Sequence, residues 1–563
     1  MYGKLFKVIT AMMLVIALIL TSAAGCGGKV TEKDAQKPAS ETGTQEAKPE
    51  DSGKPPVYDT KEKVDFTVYW NYNWWPLEKN FEDTEVGKEL GRIMNCRLTY
   101  LKPDGDPKEK LNIMLASDDL PDVIVMDRDA NYQKLISAGK LVALDDYIAK
   151  YPGYRTRVDA STINFAKVEG KAYSLLNWPT TSKHPTGNGG WMVNEKIYKE
   201  MGAPEIKNLE DVYNYLVKVK EKNIKINGKD VVPLQMEVDQ FLGLWFIYFS
   251  CGGVGTISNE DLVYVDRDKN QLKFVFTDPR LEQALLFANK LWNADLINKD
   301  YFVETSQQKD DKRNSGRLAV YTGSNVVNEA RDGKQAWQAT DKDASYVVVE
   351  PPAGPGMEQK DVRNNIFSRL GWNSICITRK AKNPERIFQV FDYIASDEGQ
   401  LLTFHGPKGV LRDELDEKGY PIIKKNRSDL SDEERKVLAA ERYSLPGMSE
   451  WVDLSKVAAD NRRPLEQRDP VIQAQAKITW NHSVDITEFQ GIFTDPTTDE
   501  GIIHQKCKDL VKKMLPKIIM AKDEAEARKL IKETADQAYK IGFEKVENYK
   551  TKIWLENKKV LGQ

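Results

Sequence analysis

The sequence predicts an α/β architecture with more than one hydrophobic core, and three observations carry it. Short runs of β-branched and aromatic residues recur along the chain, among them residues 65–70, 120–126 and 317–321. Between them lie segments whose apolar residues repeat at helical spacing, several opened by an Asx-Pro pair such as Asp106-Pro107, Asp278-Pro279 and Asn383-Pro384. Alternation of the two periods means helices laid on a mainly parallel sheet. At 563 residues the chain exceeds what one core accommodates, so two or more domains are expected.

At the N-terminus Lys4 and Lys7 precede an apolar run, residues 8–20, broken only by Thr10. Ser22-Ala23-Ala24-Gly25 and Cys26 follow. Charged, apolar and small segments in that order make a secretory signal peptide. The apolar run falls short of the ~20 residues of a spanning helix. A cysteine directly after the small residues resembles the lipobox of bacterial lipoproteins, although the motif prefers Leu where Ala23 stands. The resemblance implies that residues 1–25 are cleaved and that Cys26 is diacylated, and two acyl chains suffice for stable anchoring. Residues 26–62 are polar almost throughout, cannot offset their ordering entropy by burial, and are expected to form a flexible linker.

From residue 63 the elements follow in order. A strand over 65–70 runs into the loop Asn71-Tyr-Asn-Trp-Trp-Pro76. A helix with Val86, Leu90, Ile93 and Met94 on one face leads to a strand over 97–101. Asp106 caps the next helix with Pro107 at its first position, and Leu111, Met114 and Leu115 mark its buried side. Residues 120–126 are a turn feeding a buried strand. Asn208 caps a helix with the stripe Leu209, Val212, Tyr213, Leu216 and Val219. The helix after Asp278-Pro279 carries Leu281, Ala284, Leu285, Ala288, Leu291 and Trp292, and that after Asn383-Pro384 carries Ile387, Phe388, Phe391 and Ile394. Residues 263–276 form a hairpin turning at 266–270, and 317–321 and 346–349 are short buried strands. Residues 502–556 are charged and helical, and no internal repeat is present.

With 82 Lys and Arg against 85 Asp and Glu, there is no bulk electrostatic case for nucleic acid as a partner. Cys96, Cys251, Cys376 and Cys507 form no C-x-x-C pair and lie among apolar neighbours or in helix, so buried thiols are expected, although disulfides are possible outside the cytoplasm. His184, His405, His482 and His504 form no metal-binding cluster. No cofactor and no metal are expected.

Several segments together resemble the extracellular solute-binding proteins of ABC importers, in the large sugar-binding branch with maltose- and alginate-oligosaccharide-binding members. They are Leu120-Pro-Asp-Val-Ile124, Ala138-Gly-Lys-Leu-Val-Ala-Leu144, Val168-Glu-Gly-Lys-Ala-Tyr173 with Trp178-Pro179, Cys251-Gly-Gly253, residues 316–324, Lys382-Asn-Pro-Glu385 and Ser396-Asp-Glu-Gly399. The resemblance covers about residues 63–410. It implies a two-lobed, type II periplasmic-binding-protein-like fold with the ligand cleft between lobes joined by hinge crossings. The expected division is 63–185 plus 335–374 for one lobe and 186–334 plus 375–563 for the other, the latter with a C-terminal helical extension. Crossings are expected near 178–192, 326–346 and 370–378, and the cleft at strand carboxyl ends.

A sugar offers hydroxyls at its edge and C–H patches on its faces, so its site needs aromatic platforms and polar side chains. Trp74 and Trp75 follow the first strand and are candidates for a platform, whereas Trp70 within the strand is core. Asp127 and Arg128 end the 123–126 strand where the resemblance implies polar ligand contacts; a surface ion pair is the alternative. Glu237, Asp239 and Trp245 precede Cys251-Gly-Gly253, at a place where maltose-binding relatives line the cleft; for Trp245, in an apolar run, core burial weighs equally. Asn325 follows Tyr321 and Ser324 near a strand end, and Gly323-Ser324 stand where relatives place an aromatic, so that platform is expected to be missing. Arg369 and Trp372 lie just before a crossing, and Trp372 is the leading candidate. Some relatives carry a calcium loop that here reads Asn223-Ile-Lys-Ile-Asn-Gly-Lys-Asp-Val-Val-Pro233; Lys225 and Ile226 replace oxygen donors, and Asn227-Gly228 suggests a tight hairpin.

The function implied is capture of a carbohydrate, an oligosaccharide, at the extracellular face of the cell membrane by a monomeric lipid-anchored protein that hands it to ABC permease subunits. The alternatives are a lipid-anchored carbohydrate-active enzyme with two carboxylates, a binder of peptides or another non-sugar solute, and a receptor or adaptor with an apolar cleft. No G-x-S-x-G elbow or phosphate loop is present.

Overall fold

The computed structural model describes residues 58–73, 80–238, 240–253, 261–425, 430–440 and 445–563. Cys26, Trp74, Trp75 and Asp239 lie outside the described residues, as do the signal peptide and most of the polar linker. Two main sheets are built, in chain order, from β1 (Val64–Trp70), β2 (Cys96–Leu101), β3 (Val123–Met126), β4 (Leu175–Asn177), β5 (Gly190–Asn194), β6 (Val232–Met236), β7 (Leu318–Gly323), β8 (Tyr346–Val349) and β9 (Asn373–Ile377). The first lobe holds the order β2-β1-β3-β9-β4 and the second β8-β5-β7-β6.

The sheets are mixed rather than mainly parallel. β1 pairs in parallel with β2 and β3, and β7 with β6, while β9 and β5 pair antiparallel to both their neighbours. The reason is topological. β5 and β9 are the strands the chain enters directly from a crossing between the lobes, so they run away from the cleft while the others run toward it. The carboxyl ends of all the other strands of the two main sheets therefore face the cleft.

The helices begin where their caps place them. Asp106 accepts from Glu109 N at the start of α1 (Pro107–Ser117), and Asn208 and Asp211 form a capping box on the helix Leu209–Lys222. Tyr215, rather than Tyr213, completes that helix's buried face. Further elements that position the site are α2 (Ala130–Ser137), α3 (Val326–Trp337), α4 (Ser449–Asn461), and the C-terminal helices α5 (Asp499–Ile519), α6 (Glu524–Ile541) and α7 (Phe543–Val560). The expected hairpin is present as Val263–Asp266 against Gln271–Phe274. Lys225–Ile226 and Lys229–Asp230 also pair antiparallel, with Asn227 and Gly228 at positive φ and a Lys225–Asp230 ion pair across the turn.

The cores show where the expected division fails. Tyr346–Val349 pairs with β5, so it belongs to the second lobe and not with 335–374 in the first. β9 pairs with β3 and β4, and Phe388, Phe391, Leu402 and Trp451 share a core with Trp70 and Val125, which puts residues 373–452 largely in the first lobe. The stretch 326–346 does not cross: α3 packs Val326, Ala330 and Trp337 against Tyr346 and Val348. The crossings are residues 178–189, 350–372 and 462–470. Asn365 laces the first two together, donating to Thr186 O at 2.8 Å and accepting from Gly189 N at 3.2 Å. The linker ends earlier than 62, because Tyr58 donates to Asp392 Oδ2 at 2.9 Å and stacks near Tyr151.

The tail braces the second lobe. Cys507, Val511 and Leu515 of α5 share its core with Leu285 and Phe274. Fully buried Lys550 donates to Asp261 Oδ1 at 2.7 Å, and Glu547 accepts from Phe274 N at 2.8 Å. Cys96, Cys251, Cys376 and Cys507 are buried free thiols, and burial pushes the thiols of Cys96, Cys251 and Cys507 up to about 12. Among the described residues no helix is long and apolar enough to cross a membrane.

Candidate ligand-binding site

Between the lobes lies a cleft of about 490 Å³. The crossings line one side with Trp178, Gly371 and Trp372. The second lobe contributes Ser324 and Asn325 at the end of β7 and Asn328 and Arg331 from α3. Asp453 and Lys456 of α4 close a third side.

Trp372 is half-buried, and the first lobe fixes its ring. Trp70 meets it edge-on at 5.8 Å and Tyr72 lies at 5.1 Å, while its backbone N–H donates to Asn177 O at 3.0 Å. Trp70 itself is fully buried in the core, as its place inside a strand predicts. The crossing beneath Trp372 is held by Arg128, which donates from Nη1 to Asn373 O at 2.9 Å and from Nη2 to Gly371 O at 3.0 Å. Burial lowers the Arg128 pKa. Asp127 accepts from Tyr72 OH at 2.6 Å, and burial raises its carboxyl above the usual range despite that bond. Asp127 and Arg128 are therefore not a surface ion pair; each braces the aromatic platform from behind.

On the opposite wall Glu237, at the carboxyl end of β6, accepts from Ser324 N at 2.7 Å and from Ser324 Oγ at 2.9 Å. Its pKa is raised, burial being the main cause. The bonds pin the turn that presents Asn325, whose Oδ1 accepts from Asn328 Nδ2 at 2.7 Å. Gly323 is needed here because a Cβ would fall 2.5 Å from Glu237 Oε2 and 2.6 Å from Tyr321 OH. Tyr321, two residues before Gly323, is buried.

Two candidates lie elsewhere. Trp245 is buried in the second-lobe core beside Tyr248 and Phe249, because its helix is apolar on every side. Arg369 is buried behind the crossing, pairing through Nε with Asp485 Oδ2 at 3.1 Å. Trp178 was not among the candidates, yet it lines the cleft. It holds φ 60°, its ring meets Phe404 at 5.2 Å, and Gly447 lies against its face. The Trp178-Pro179 pair directly after a short strand was the available signal. Asp453, which accepts from Thr186 Oγ1 at 2.9 Å, came from a tail region that offered none.

A family model described as bacterial extracellular solute-binding protein matches residues 97–401, more than half of the chain. This chain belongs to that family. The solute-binding protein is 25% identical over 391 residues to lipoprotein LipO of Bacillus subtilis, covering 66% of this chain and 70% of LipO. It is 23% identical over 337 residues to the polygalacturonan/rhamnogalacturonan-binding protein YtcQ of the same species, covering 57% of this chain and 62% of YtcQ. Among solved structures, an HMO-binding ABC-transporter-associated solute-binding protein from Bifidobacterium longum infantis superposes with a TM-score of 0.63 at 16% identity, covering 87% of this chain and 98% of that one. The two lobes and the cleft between them are thus the family's fold.

Proposed function

We propose that this protein captures an oligosaccharide in the inter-lobe cleft and delivers it to the permease subunits of an ABC importer, without chemistry on the solute. The observation that carries the reading is Trp372. A half-exposed indole braced by Trp70 and Tyr72 faces amide and charged groups from the opposite lobe, which is the pairing of flat apolar face and hydroxyl partners a sugar requires. The sugars named for YtcQ and for the Bifidobacterium protein support the same class.

In this reading Trp178 and Trp372 stack on sugar faces, and Asn325, Asn328 and Arg331 bond hydroxyls. Trp74, Trp75 and Asp239 remain proposed contacts, while Asp127, Arg128 and Glu237 position the contacting groups. The solute bridges the two walls, so closure is favoured by the contacts it adds in the closed state. The protein works as a monomer tethered through lipid on Cys26 at the extracellular face, and the polar linker keeps the loaded lobes near the permease. ATP is hydrolysed by a separate subunit.

Titration calorimetry with a panel of plant and bacterial oligosaccharides tests this. At least one should bind, and Trp372→Ala should weaken it by roughly tenfold or more, the loss expected for one stacking aromatic. Binding of peptides with no response to any sugar would remove the carbohydrate reading.

A further inference from the structure

The third side of the cleft comes from the tail. α4 follows the stretch matched by the family model, which ends at residue 401. Its first turn is fastened to the first crossing. Ser449 N donates to Pro179 O at 3.1 Å, Ser449 Oγ donates to Trp178 O at 2.9 Å, and Glu450 Oε2 accepts from Thr181 Oγ1 at 2.6 Å. A helix held at its start by such bonds presents the next residues, Asp453 among them, in a fixed place.

Asp453 lines the cleft although only 8% of its surface is exposed. Its Oδ2 accepts from Thr186 Oγ1 at 2.9 Å. His184 Nε2 stands 3.8 Å from the same oxygen, too far to donate a hydrogen bond. Oδ1 takes no hydrogen bond among the described residues. A buried acceptor without a donor costs free energy, and native structures rarely keep one. Lys456 and Arg331 line the same cleft, so charge of both signs is present and the carboxylate does not select for net charge. What Oδ1 lacks is a donor, and a sugar brings one as a hydroxyl.

We propose that Asp453 is a specificity-determining contact whose Oδ1 accepts from one particular hydroxyl of the solute. This rests on the carbohydrate reading above and deepens it. The same carboxylate is bonded through Oδ2 to Thr186, whose carbonyl accepts from Asn365 Nδ2 at 2.8 Å where the first two crossings are laced together. A hydroxyl at Oδ1 therefore joins the solute to the hinge as well as to the wall. A solute without that hydroxyl leaves the oxygen buried and unpaired once the lobes close, so it is rejected more strongly than by the loss of a neutral contact.

The probes are the tightest-binding oligosaccharide of the calorimetric panel and its monodeoxy derivatives, each lacking one hydroxyl. One derivative should bind the unaltered protein about tenfold or more weakly than its parent, the scale of one charge-assisted hydrogen bond. That ratio should shrink in Asp453→Asn, which keeps an acceptor for Thr186, and in Asp453→Ala. A ratio that neither variant changes, with parent and derivative weakened alike, means a structural role only; it overturns the proposal and leaves the carbohydrate reading standing. Equal binding of every monodeoxy derivative by the unaltered protein does the same. Binding of peptides with no response to any sugar overturns both.

Discussion

Trp372 and Trp245 look alike in the sequence, each an indole in an apolar neighbourhood close to a glycine. Their fates differ because Trp245 is on a helix that is apolar all round, whereas Trp372 follows Gly371 on a crossing with only one wall behind it. Asp127 shows the cost of bracing such a platform. Its carboxyl is pushed up by burial, so ionisation disfavours the folded state at neutral pH. For a raised folded pKa, the favourable contribution is present below the unfolded value of 3.8 and is lost as pH rises through the folded value. Asp127→Asn, which keeps an acceptor for Tyr72, should therefore raise the thermal midpoint at pH 7, and the gain should vanish near pH 3. Melts monitored by circular dichroism across that range check the sign.

At the scale of elements, the caps and stripes were legible because they are local: Asp106, Asn208, Asp278 and Asn383 each bond the first turn of the helix they precede. The crossings were legible only in part. Residues 178–192 and 370–378 carry Gly and Trp-Pro signals, but 326–346 is a helix and strand packed within one lobe, and the third crossing has no comparable mark. The junction of the first two is close-packed. Gly371 holds φ +70°, and a Cβ there would come within 2.3 Å of Asn177 O and 2.4 Å of the Trp178 carbonyl. Gly371→Ala should cost roughly 2–3 kcal/mol, measured by chemical denaturation. It should also weaken ligand binding, because Trp178 and Trp372 flank that contact on the cleft side.

At the scale of the molecule, the lobes are unequal because the tail adds three helices to one of them. These helices share the second-lobe core and are fastened to the hairpin 263–274 by Glu547 and to Asp261 just ahead of it by Lys550. Lys550→Ala leaves Asp261 without its buried cation and should destabilise the fold by about 3–5 kcal/mol. The tail thus braces the second lobe from within its core.

The sequence alone determined what depends on neighbours along the chain: the strand and helix periods, the caps, the tight turn at Asn227-Gly228, and the core placement of Trp70. Tertiary structure decided what depends on residues far apart. Which strand joins which sheet was settled by pairings such as Tyr346–Val349 with β5, across about 150 residues. Arg128 and Glu237 proved to support the cleft rather than simply line it, because their partners, Gly371, Asn373 and Ser324, lie some 90 to 250 residues away. A local pattern fixes a residue's face and period, but a cleft between two lobes is formed by chain segments that meet only after both cores have closed.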